Sequence, residues 1–483
     1  MHELEDALPR LLPSFLERQR WFGGKDRTIV ACDVEDVAHL SRDPDIALVV
    51  SGVSYADGGR ERYSLLLTIL ADTRGLPVVG RLRPAGNWIV EAAADAAVSR
   101  VLLRGFAAAG VIPTRNGGQL RFGDIGEAAP RLLAQDALPI IPLGTEQSNT
   151  SLRVGGAFAF KLFRRLENGE NPELEVCRFL TTHTSFRAMP TLEGSLTYLS
   201  PRDESSTLGV IEAWIDNEGD GWRYVLAALS DCLRTGSLPP NLVRDMTSLG
   251  STTADLHAAL ESGVDVDAFA PVPVLQRDID SWSAAVRDRA ARAVTLIESR
   301  LESWAAEPRG LGASILARAP FPSSIASPPD LAVTGPFDKI RVHGDYHLGQ
   351  TLKTPGGFAI IDFEGEPARP LAERRQKLCA LKDVAGMLRS IDYAIDTVSE
   401  GQSAADWLRS LGVREAFLEG YLHTAVSRGA TSIPGNPRAV DAWLTFFELE
   451  KTLYELDYEL NNRPAWVHIP LRGIRRALDR STA

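Results

Sequence analysis

The first half of the chain alternates apolar and polar residues in short runs that are separated by glycine-containing turns. Within residues 1–90, a short amphipathic helix precedes strand-like runs such as "DIALVVSGVSYADGG" and "ERYSLLLTILAD". The runs "QLRFGDI", "ALPIIPLG", "TSLRVGG" and "AFAFKLFRR" repeat this pattern further along. Between the two groups, "WIVEAAADAAVSRVLLRGFAAAG" has apolar residues at helical spacing. We therefore expect two antiparallel sheets joined by a helix.

The pattern changes to helical spacing in the second half. One helix already lies among the strands, because "NPELEVCRFLTTH" begins with Asn171 and Pro172 at helix-start positions. Beyond "LGVIEAWIDNEGDGW" most apolar residues recur at helical intervals. A β-rich half followed by an α-rich half predicts an α+β fold of two lobes with a cleft between them. We expect a mostly β N-terminal subdomain at residues 1–90, a β-rich lobe at 91–213 and an α-rich lobe at 214–483.

A predicted hairpin carries the most informative chemistry. The runs "RVHGDYHLGQTLKT" and "GFAIIDFEGE" flank "PGG", a tight-turn sequence, so the two strands pair antiparallel. This pairing brings Asp345, before the first strand, and Asp362, after the second, to the same end of the hairpin. Phosphoryl transfer from ATP needs two such carboxylates. One orients or deprotonates the acceptor hydroxyl, and the other holds Mg²⁺ on the phosphates.

The spacing of these residues matches the protein-kinase pattern H-R-D-L-x-x-x-N followed by D-F-G. Gln350 stands in place of the Asn, and its amide oxygen can serve the same metal. Asp362 takes the metal-binding position, and Glu364, or less often Glu366, can add an oxygen ligand for Mg²⁺. His347 is a candidate for sugar or phosphate contact, and a structural histidine is an equal alternative. The competing interpretation of the whole motif is a structural hairpin with solvent-facing acids.

A kinase also needs a lysine for the nucleotide phosphates. Of the seven lysines in the chain, Lys161 in "FAFKLF" is the one inside a strand pattern. A buried ammonium requires a partner, and the following helix offers Glu173 or Glu175. The sequence leaves the choice between them open. The alternative is an edge-strand lysine that faces water.

Two further segments are weaker candidates for ATP contacts. The polar turn in "GTEQSNTSLRVGG" lies where kinases carry a phosphate loop, and its candidates are Ser148, Asn149, Thr150 and Ser151. The stretch from Glu212 to Trp214 falls where the lobes connect, so its backbone is a candidate for adenine hydrogen bonds. An ordinary polar turn and a plain linker strand are the respective alternatives.

The net charge and the cysteine spacing indicate which partners and which cellular environment to expect. A formal net charge of −11 gives no long-range attraction to nucleic acid or anionic lipid, so neither is expected as a partner. No stretch is apolar for long enough to span a membrane, and the acidic N-terminus does not resemble a signal peptide. The four cysteines have no CxxC spacing and are expected to be reduced and buried. We therefore expect a cytoplasmic protein, whereas its oligomeric state is not predictable.

The chain resembles the maltokinase family along nearly its whole length. "HGDYHLGQ", "IDFEGEPARPLAERR" and "DVAGMLRSIDYA" carry the resemblance, together with "RWFGGKDR", "NPELE" and "FELEKTLYELDYELNNRP". The resemblance implies a bilobal protein-kinase-like core of the aminoglycoside phosphotransferase type that uses ATP and Mg²⁺. It also implies that the first 90 or so residues form an N-terminal cap.

One segment departs from the maltokinase pattern. After the double arginine, maltokinases have a Ser-Pro-Leu-Arg-Asp-Val run, whereas this chain has "QKLCALKDVAGM", with Cys379, Ala380 and Lys382. The chain is also similar to a related branch, the glucosamine kinases, which phosphorylate the 6-hydroxyl of glucosamine. The departure favours that branch over maltose.

The predicted helix in "DAWLTFFELEKTLYELDYELNNRPAW" is the candidate acceptor site. Acids at spacings of seven and four share one face of it, tyrosines form a neighbouring stripe, and a tryptophan follows. Carboxylates accept sugar hydroxyls or an ammonium, and aromatic rings cover the sugar's apolar face. A solvated acidic face with tyrosines in the core is the alternative. The candidate substrate contacts are Glu448, Glu455, Tyr458, Glu459 and Trp466.

The sequence as a whole predicts an ATP-dependent sugar kinase in which Asp345 acts on the acceptor hydroxyl. Glucosamine, giving glucosamine 6-phosphate, is the first choice of substrate, and maltose, giving maltose 1-phosphate, is the second. A catalytically silent nucleotide or sugar sensor and an antibiotic-modifying phosphotransferase remain as alternatives. The sensor is disfavoured because Lys161, Asp345 and Asp362 are all present.

Overall fold

The computed structural model describes residues 2–82, 86–144, 148–318, 329–399 and 401–480. The chain forms two compact units. The first comprises Met1–Thr182 and Pro190–Ile215, and the second comprises His183–Met189 and Asp216–Ala483. The first unit is rich in strands and the second in helices, so the fold belongs to the α+β class that the sequence predicts.

The first unit begins with a helix and a six-stranded antiparallel sheet. The sheet order is β1-β2-β3-β5-β4, and β11 also pairs with β3. The elements are α1 (His2–Leu16), β1 (Ile29–Arg42), β2 (Asp45–Tyr55), β3 (Arg60–Leu70), β4 (Val78–Arg81), β5 (Trp88–Glu91) and β11 (Arg165–Leu166).

A second antiparallel sheet of seven strands completes the first unit, in the order β6-β7-β12-β13-β10-β9-β8. Three helices accompany it. The elements are α2 (Ala96–Ala107), β6 (Val111–Pro113), β7 (Gln119–Gly123), α3 (Ala129–Leu133), β8 (Ile140–Pro142), β9 (Asn149–Val154), β10 (Phe158–Phe163), α4 (Pro172–His183), β12 (Leu192–Leu199) and β13 (Ser205–Ala213).

The two faces of the first sheet are buried by different elements. On α1, Leu4, Leu8 and Leu12 recur every four residues, so they share one face of the helix and pack with Val49 and other sheet residues. The opposite face contributes Leu48 and neighbours to a core shared with α2 and the second sheet. Because strand side chains alternate between faces, Leu48 and Val49 enter different cores. The predicted boundary at residue 90 therefore falls inside one compact unit.

The predicted helix after this boundary begins later than the sequence pattern indicates. Its first four residues, "WIVE", form β5, which pairs with both β3 and β4. The helix α2 begins after Asp95, whose side chain accepts hydrogen bonds from the backbone N–H groups of Ala97 and Val98. β-branched Ile89 and Val90 favour a strand with partners on both sides, and the Asp95 cap fixes where the helix starts.

The second unit consists of helices around a small hairpin. Its helices are α5 (Gly221–Thr235), α6 (Pro240–Glu261), α7 (Gln276–Arg300), α8 (Ala306–Leu316), α9 (Leu331–Thr334), α10 (Leu371–Arg374), α11 (Leu381–Val398), α12 (Gln402–Ser410), α13 (Val413–Arg428), α14 (Pro437–Asn462) and α15 (His468–Arg480). Short 3₁₀ turns occupy Leu301–Ser303, Leu348–Gln350 and Pro464–Trp466. Its strands are β14 (Val272–Pro273), β15 (Asp338–Lys339), β16 (Thr351–Thr354) and β17 (Gly357–Ile360).

The hairpin has the predicted register. β16 pairs antiparallel with β17, from Thr351 opposite Ile360 to Thr354 opposite Gly357. The Ile361 N–H donates to the Gln350 carbonyl at 3.0 Å, which continues the pairing to the base of the hairpin. The segments that carry Asp345 and Asp362 therefore leave the hairpin at the same end.

Two predictions from the sequence concern the cysteines and membrane-spanning helices. All four cysteines are free thiols and are buried, as predicted. Among the helices that the structure describes, none combines the length and the apolar character that crossing a bilayer requires.

Candidate active site

The candidate catalytic loop, residues 343–345, is hydrogen-bonded through its backbone to the side chain of Asp383 on α11. The carboxylate of Asp383 accepts the backbone N–H groups of His343 at 2.7 Å and Gly344 at 3.0 Å. His257 on α6 contacts the same carboxylate through Nε2 at 3.1 Å. Burial alone would raise the pKa of Asp383, but its bonds to His257 and to the loop lower the pKa below the ordinary value. Asp383 is thus an ionised brace for the loop.

Glycine is required where the loop meets its neighbours. Gly344 has a φ of +86°, a conformation that residues with a Cβ rarely adopt. A Cβ at Gly344 would lie 3.4 Å from the Cα of Gly365, in the segment after Asp362. A Cβ at Gly386 on α11 would lie 2.6 Å from the carbonyl oxygen of Tyr346. Gly344 thus allows the backbone conformation of the loop, and Gly386 lets the loop lie directly against α11.

His343 connects the two predicted carboxylate segments. Its Nδ1 accepts the Asp345 N–H at 3.4 Å, so the ring proton is on Nε2. That Nε2 lies 2.9 Å from the carbonyl oxygen of Ile361, directly before Asp362. His343 therefore fixes the spacing between the candidate catalytic loop and the segment that carries Asp362.

Asp345 is paired with a lysine that the sequence analysis did not consider. Lys451 Nζ on α14 lies 3.2 Å from Asp345 Oδ1 and 3.5 Å from Glu366 Oε1. Burial would raise the pKa of Asp345, but the ammonium group of Lys451 outweighs it and lowers that pKa. The Lys451 pKa is raised for the reciprocal reason, because Asp345 and Glu366 outweigh its burial. Asp345 is therefore ionised at neutral pH, as a proton acceptor must be.

The candidate metal ligands converge at the base of the hairpin. Carboxylate oxygens of Asp362 and Glu364 lie within 4.8 Å of each other. Gln350 Nε2 donates to Asp362 Oδ2 at 2.7 Å, so the amide nitrogen, rather than the predicted oxygen, faces that carboxylate. Asp362 has a φ of +67°, which is unfavourable for a residue with a side chain and often marks a functional position. Closely spaced oxygen donors fit Mg²⁺.

His347 has the structural contact that the sequence analysis gave as the alternative role. Its Nδ1 accepts the backbone N–H of Gly349 at 3.0 Å and so caps the turn that leads to Gln350. Burial lowers the pKa of His347 and outweighs the nearby Asp345 carboxylate. His347 is therefore neutral at pH 7, and a direct role in binding substrate stays a prediction.

A pocket in the second unit opens onto Asp345. Its wall carries equal numbers of cationic and acidic side chains, and tyrosine and phenylalanine rings lie between them. The cationic residues are Arg289, Arg369, Arg374, Lys382 and Lys451, the acidic ones are Asp345, Glu366, Glu373, Asp383 and Glu450, and the aromatic ones are Tyr346, Phe447 and Tyr454. Such a wall offers hydrogen-bonding groups and apolar surface to a polyhydroxylated ring.

In the first unit, the structure distinguishes the two candidate partners of Lys161. Lys161 Nζ on β10 lies 3.8 Å from the carboxylate of Glu173 on α4. Glu173 and Glu175 are both buried, but they are two residues apart on a helix and so point in different directions. Glu173 is thus the residue placed like the glutamate of a kinase Lys–Glu pair.

The candidate phosphate turn is described only in part, since Thr145–Gln147 lie outside the described residues. Ser148 is exposed, whereas Asn149 and Ser151 are buried. Ser151 lies directly opposite Lys161 in the pairing of β9 with β10. The hydroxyl oxygen of Thr150 accepts two hydrogen bonds from Arg164, from Nε at 2.9 Å and Nη2 at 2.6 Å. Phosphate contact by this group of residues stays a prediction.

The predicted adenine contacts at Glu212 to Trp214 need correction. The backbone N–H of Ala213 donates to Thr191 at 2.9 Å, and that of Trp214 donates to Ala157 at 2.7 Å. The side chain of Glu212 accepts a weak hydrogen bond from the Cys177 thiol at 3.4 Å. These two N–H groups are engaged because the segment continues β13 alongside its neighbouring strands, so they are not donors for adenine. Adenine contacts with the carbonyl groups of this segment stay a prediction.

Comparisons with known proteins agree with the resemblance to maltokinases and glucosamine kinases. Residues 15–95 match the maltokinase N-terminal cap domain. The chain is 26% identical to the glucosamine kinase of Mycolicibacterium smegmatis over 355 residues, covering 71% of this chain and 80% of that relative. It is also 26% identical to the glucosamine kinase of Streptacidiphilus jiangxiensis over 337 residues, covering 67% and 70%.

Solved structures extend the similarity to the whole fold. A glucosamine kinase in complex with glucosamine, ADP and inorganic phosphate matches with a TM-score of 0.63 at 20% identity, over 98% of both chains. This chain has the glucosamine kinase fold. A second crystal form of a glucosamine kinase matches with a TM-score of 0.65 at 21% identity, over 98% of this chain and 99% of that one. The predicted bilobal kinase-like fold with an N-terminal cap is thereby confirmed.

Within this kinase fold, the predicted acidic face of α14 makes ion pairs with other helices. Glu448 pairs with Arg414 of α13 at 2.5 Å, and Glu455 pairs with Arg389 of α11 at 2.6 Å. Glu459 accepts hydrogen bonds from Tyr393 and Arg463, both at 2.6 Å. The structure thus contradicts the expectation of sugar-facing acids, since these carboxylates neutralise buried or half-buried cations between helices.

The predicted aromatic contacts are likewise engaged elsewhere. Trp466 stacks on Tyr393 with ring centroids 6.0 Å apart, and the guanidinium of Arg463 lies 5.3 Å from its ring. Tyr458 is 39% exposed, and Arg463 also lies 5.3 Å from its ring centre. The α14 residues that line the Asp345 pocket belong to a different helix face, that of Phe447, Glu450, Lys451 and Tyr454.

Sequence analysis missed Glu450 and Lys451, which line the pocket. It placed Tyr454 in the tyrosine stripe and noted Lys382 only as a departure from the maltokinase pattern, and both also line the pocket. The rarity of lysine drew attention to Lys161, and the same argument applied to Lys451 would have selected the correct face of α14. Lys382 belongs to the segment that departs from the maltokinase pattern, and its Nζ lies 2.8 Å from Glu450. The departure therefore alters the wall of the candidate acceptor pocket.

Proposed function

We propose that this protein transfers the γ-phosphoryl group of ATP to the 6-hydroxyl of glucosamine. The observation that carries the proposal is the pocket around an ionised Asp345, whose wall includes the carboxylates of Glu366 and Glu450. The 98% coverage by a glucosamine kinase solved with glucosamine and ADP supports it. A silent sensor is disfavoured because the chain has Lys161, Asp345 and Asp362 together.

In the proposed reaction, Asp345 orients the acceptor hydroxyl and takes its proton. The hydroxyl oxygen forms a bond to the γ-phosphorus, and the bond from that phosphorus to the bridging oxygen breaks, leaving its electron pair on ADP. The lowered pKa of Asp345 keeps its carboxylate ready to accept the proton at neutral pH. The brace by Asp383 fixes the loop backbone, so the carboxylate does not need to reorganise during the transfer.

Each unit contains candidate residues for nucleotide binding. Lys161, with Glu173 beside it, would hold the phosphates, and Ser148, Asn149 and Ser151 remain candidates for further phosphate contacts. Asp362 and Glu364 would hold Mg²⁺, with Gln350 fixing the orientation of Asp362. Mg²⁺, when bound, neutralises charge on the phosphate oxygens.

Recognition of the amino group is assigned to the pocket carboxylates. Glu366 is held by Arg369 at 2.5 Å, and Glu450 is held by Lys382 at 2.8 Å. Burial would raise the pKa of Glu450, but Lys382 outweighs it and lowers the pKa, so Glu450 is ionised at neutral pH. An ionised carboxylate forms charge-assisted hydrogen bonds with an ammonium group, which favours glucosamine over glucose.

Maltose is the second candidate acceptor, and the match of residues 15–95 to the maltokinase cap is the observation that favours it. The two sugars predict different products, because maltose would be phosphorylated on its anomeric 1-hydroxyl. The cytoplasm, where ATP is available, and the absence of nucleic-acid or membrane partners stay our predictions.

The test is an ADP-release assay with Mg-ATP that compares kcat/KM for glucosamine, glucose, N-acetylglucosamine, maltose and an aminoglycoside. We expect glucosamine to give the highest value and N-acetylglucosamine a much lower one, since acetylation removes the positive charge. Product analysis by ³¹P NMR then distinguishes a 6-phosphate from a 1-phosphate.

Asp345→Asn is the matched control, because it keeps the shape of the side chain but cannot take a proton. It should abolish turnover while Mg-ADP affinity remains near that of the wild type. A preference for maltose would transfer the assignment to maltokinase, and a preference for the aminoglycoside would indicate a resistance enzyme. Nucleotide binding without turnover of any sugar would favour the sensor.

A further inference from the structure

The cap sheet is hydrogen-bonded to the chain directly after Lys161. β11 pairs with β3, with Arg165 opposite Tyr63 and Leu166 opposite Arg62. The side chain of Ser64 on β3 donates to the carbonyl oxygen of Phe163 at 2.5 Å, and its backbone N–H donates to that of Arg164 at 2.8 Å. The chain that leaves the strand of Lys161 therefore enters the cap sheet after a single intervening residue, Arg164.

A buried arginine makes a second connection between the cap and the candidate phosphate segment. Arg164 is 2% exposed, and its Nη1 donates to Glu91 on cap strand β5 at 2.7 Å. Its Nε and Nη2 both donate to the hydroxyl oxygen of Thr150 at the start of β9. The ring of Trp21, also in the cap, lies 5.1 Å from the guanidinium. Most donors of this buried cation are thus used to join Glu91 to Thr150.

The register of β9 and β10 shows why this connection matters. Thr150 lies opposite Leu162, and the next pair along the ladder is Ser151 opposite Lys161. Because side chains alternate between sheet faces, Thr150 points away from the face that carries Ser151 and Lys161. Its hydroxyl holds β9 from one face of the sheet, and the candidates Asn149, Ser151 and Lys161 lie on the other face.

From these contacts we infer that Glu91 and Arg164 are positioning residues for nucleotide binding, and that the cap acts on ATP affinity through Thr150. The inference rests on the proposed function, because it takes the Lys161 face of β9 and β10 as the phosphate site. It assigns the cap a role in nucleotide binding rather than in folding alone. A buried arginine suits this role, since its planar group holds two partners at fixed angles.

Thr150→Val is the first test variant, because it keeps the shape of the side chain and removes the acceptor of two hydrogen bonds. Glu91→Gln is the second, because it changes the cap alone and removes the charge that fixes Arg164. For each full-length variant, Mg-ADP affinity is measured by titration calorimetry, and KM for ATP and for the sugar are measured separately. We expect Thr150→Val to weaken Mg-ADP binding about fivefold, with the sugar KM changed less than about twofold.

Thr114→Val is the matched control within the same unit. Thr114 is also buried, and its hydroxyl donates to Asp36 at 2.5 Å. It follows β6, at the edge of the second sheet opposite to β8 and β9. This variant should lower the melting temperature without weakening Mg-ADP binding, which separates loss of stability from loss of positioning.

A double-mutant cycle completes the experiment. If Glu91 and Thr150 act through the same arginine, the loss of Mg-ADP affinity in the double variant will be smaller than the product of the two single losses. The cycle of Glu91→Gln with Thr114→Val should be multiplicative. Unchanged Mg-ADP affinity in Thr150→Val, or equal changes in the ATP and sugar KM values, would overturn the inference. Wild-type protein that binds no Mg-ADP would instead overturn the proposed function.

Discussion

Replacing Lys451 by methionine tests how the pocket controls the catalytic carboxylate. Methionine is unbranched and of similar length, so it retains much of the lysine packing while removing the ammonium. The variant leaves Asp345 and Glu366 facing each other in the pocket without the cation that lies 3.2 Å from one and 3.5 Å from the other. Burial and the like charge of Glu366 then both disfavour the ionised form of Asp345.

The distance sets the size of the effect. At 3.2 Å and an effective dielectric constant of about 20, the attraction between two unit charges is about 5 kcal/mol. That corresponds to a ceiling of about 4 pKa units, and nearby opposite charges in proteins usually shift a carboxylate by about 1 to 3 units. We therefore expect the Asp345 pKa in the variant to rise above its lowered wild-type value.

The sign of the pH dependence follows directly. A protonated Asp345 cannot take the hydroxyl proton, so activity is lost as the pH falls through the Asp345 pKa. The assay is the pH profile of kcat/KM for glucosamine at saturating Mg-ATP, from about pH 4.5 to 8. The acidic limb of Lys451→Met should lie at higher pH than that of the wild type.

Lys382→Met is the matched control for this prediction. Lys382 lines the same pocket, but its ammonium pairs with Glu450 at 2.8 Å rather than with Asp345. Its pH profile should retain the wild-type acidic limb even if the sugar KM changes. An acidic limb for Lys451→Met that coincides with the wild-type limb would refute the proposed electrostatic control of Asp345.

Three further predictions concern the metal, the loop brace and the helix ion pairs. Asp362→Asn should raise the Mg²⁺ concentration needed for half-maximal activity at least about tenfold, because the charge of a metal ligand is lost. Titrating the activity with MgCl₂ measures this concentration. Asp383→Asn should lower kcat about 10- to 100-fold with little change in ATP KM, and a loss confined to ATP KM would contradict the brace. Its stability loss should shrink as the pH falls, because the lowered Asp383 pKa stabilises the wild type only while the carboxylate is ionised. Glu455→Gln breaks the buried pair with Arg389 and should lower the free energy of unfolding by about 3 kcal/mol. A large rise in the sugar KM would instead indicate that Glu455 contacts the sugar.

The chemistry of the hairpin was predictable because it depends on local rules. Turn residues fix which strands pair, and strand pairing fixes which ends meet, so the approach of Asp345 to Asp362 followed from "PGG" and two short apolar runs. The strand location of Lys161 and the free, buried cysteines followed from composition and pattern in the same way. The likeness to maltokinases and glucosamine kinases then added the fold as a whole.

Predictions that depended on which other elements contact a given face of a helix were wrong or stayed open. Periodicity correctly placed Glu448, Glu455 and Glu459 on one face of α14, but it could not show that arginines and a tyrosine from elsewhere in the unit meet that face. In the same way, two glutamates followed Lys161 on one helix, and only packing brought Glu173 to 3.8 Å from it.

The sequence by itself determined the β-rich and α-rich halves, the hairpin and the candidate phosphoryl-transfer residues, since each depends on neighbours within a few residues or on a known motif. Only the tertiary structure decided which helix face forms the acceptor pocket, which cation pairs with Asp345, and how Glu91 of the cap reaches Thr150 through Arg164. These contacts join residues tens to more than a hundred positions apart. Buried charged groups require oppositely charged neighbours, and no local sequence pattern specifies which distant residue supplies them.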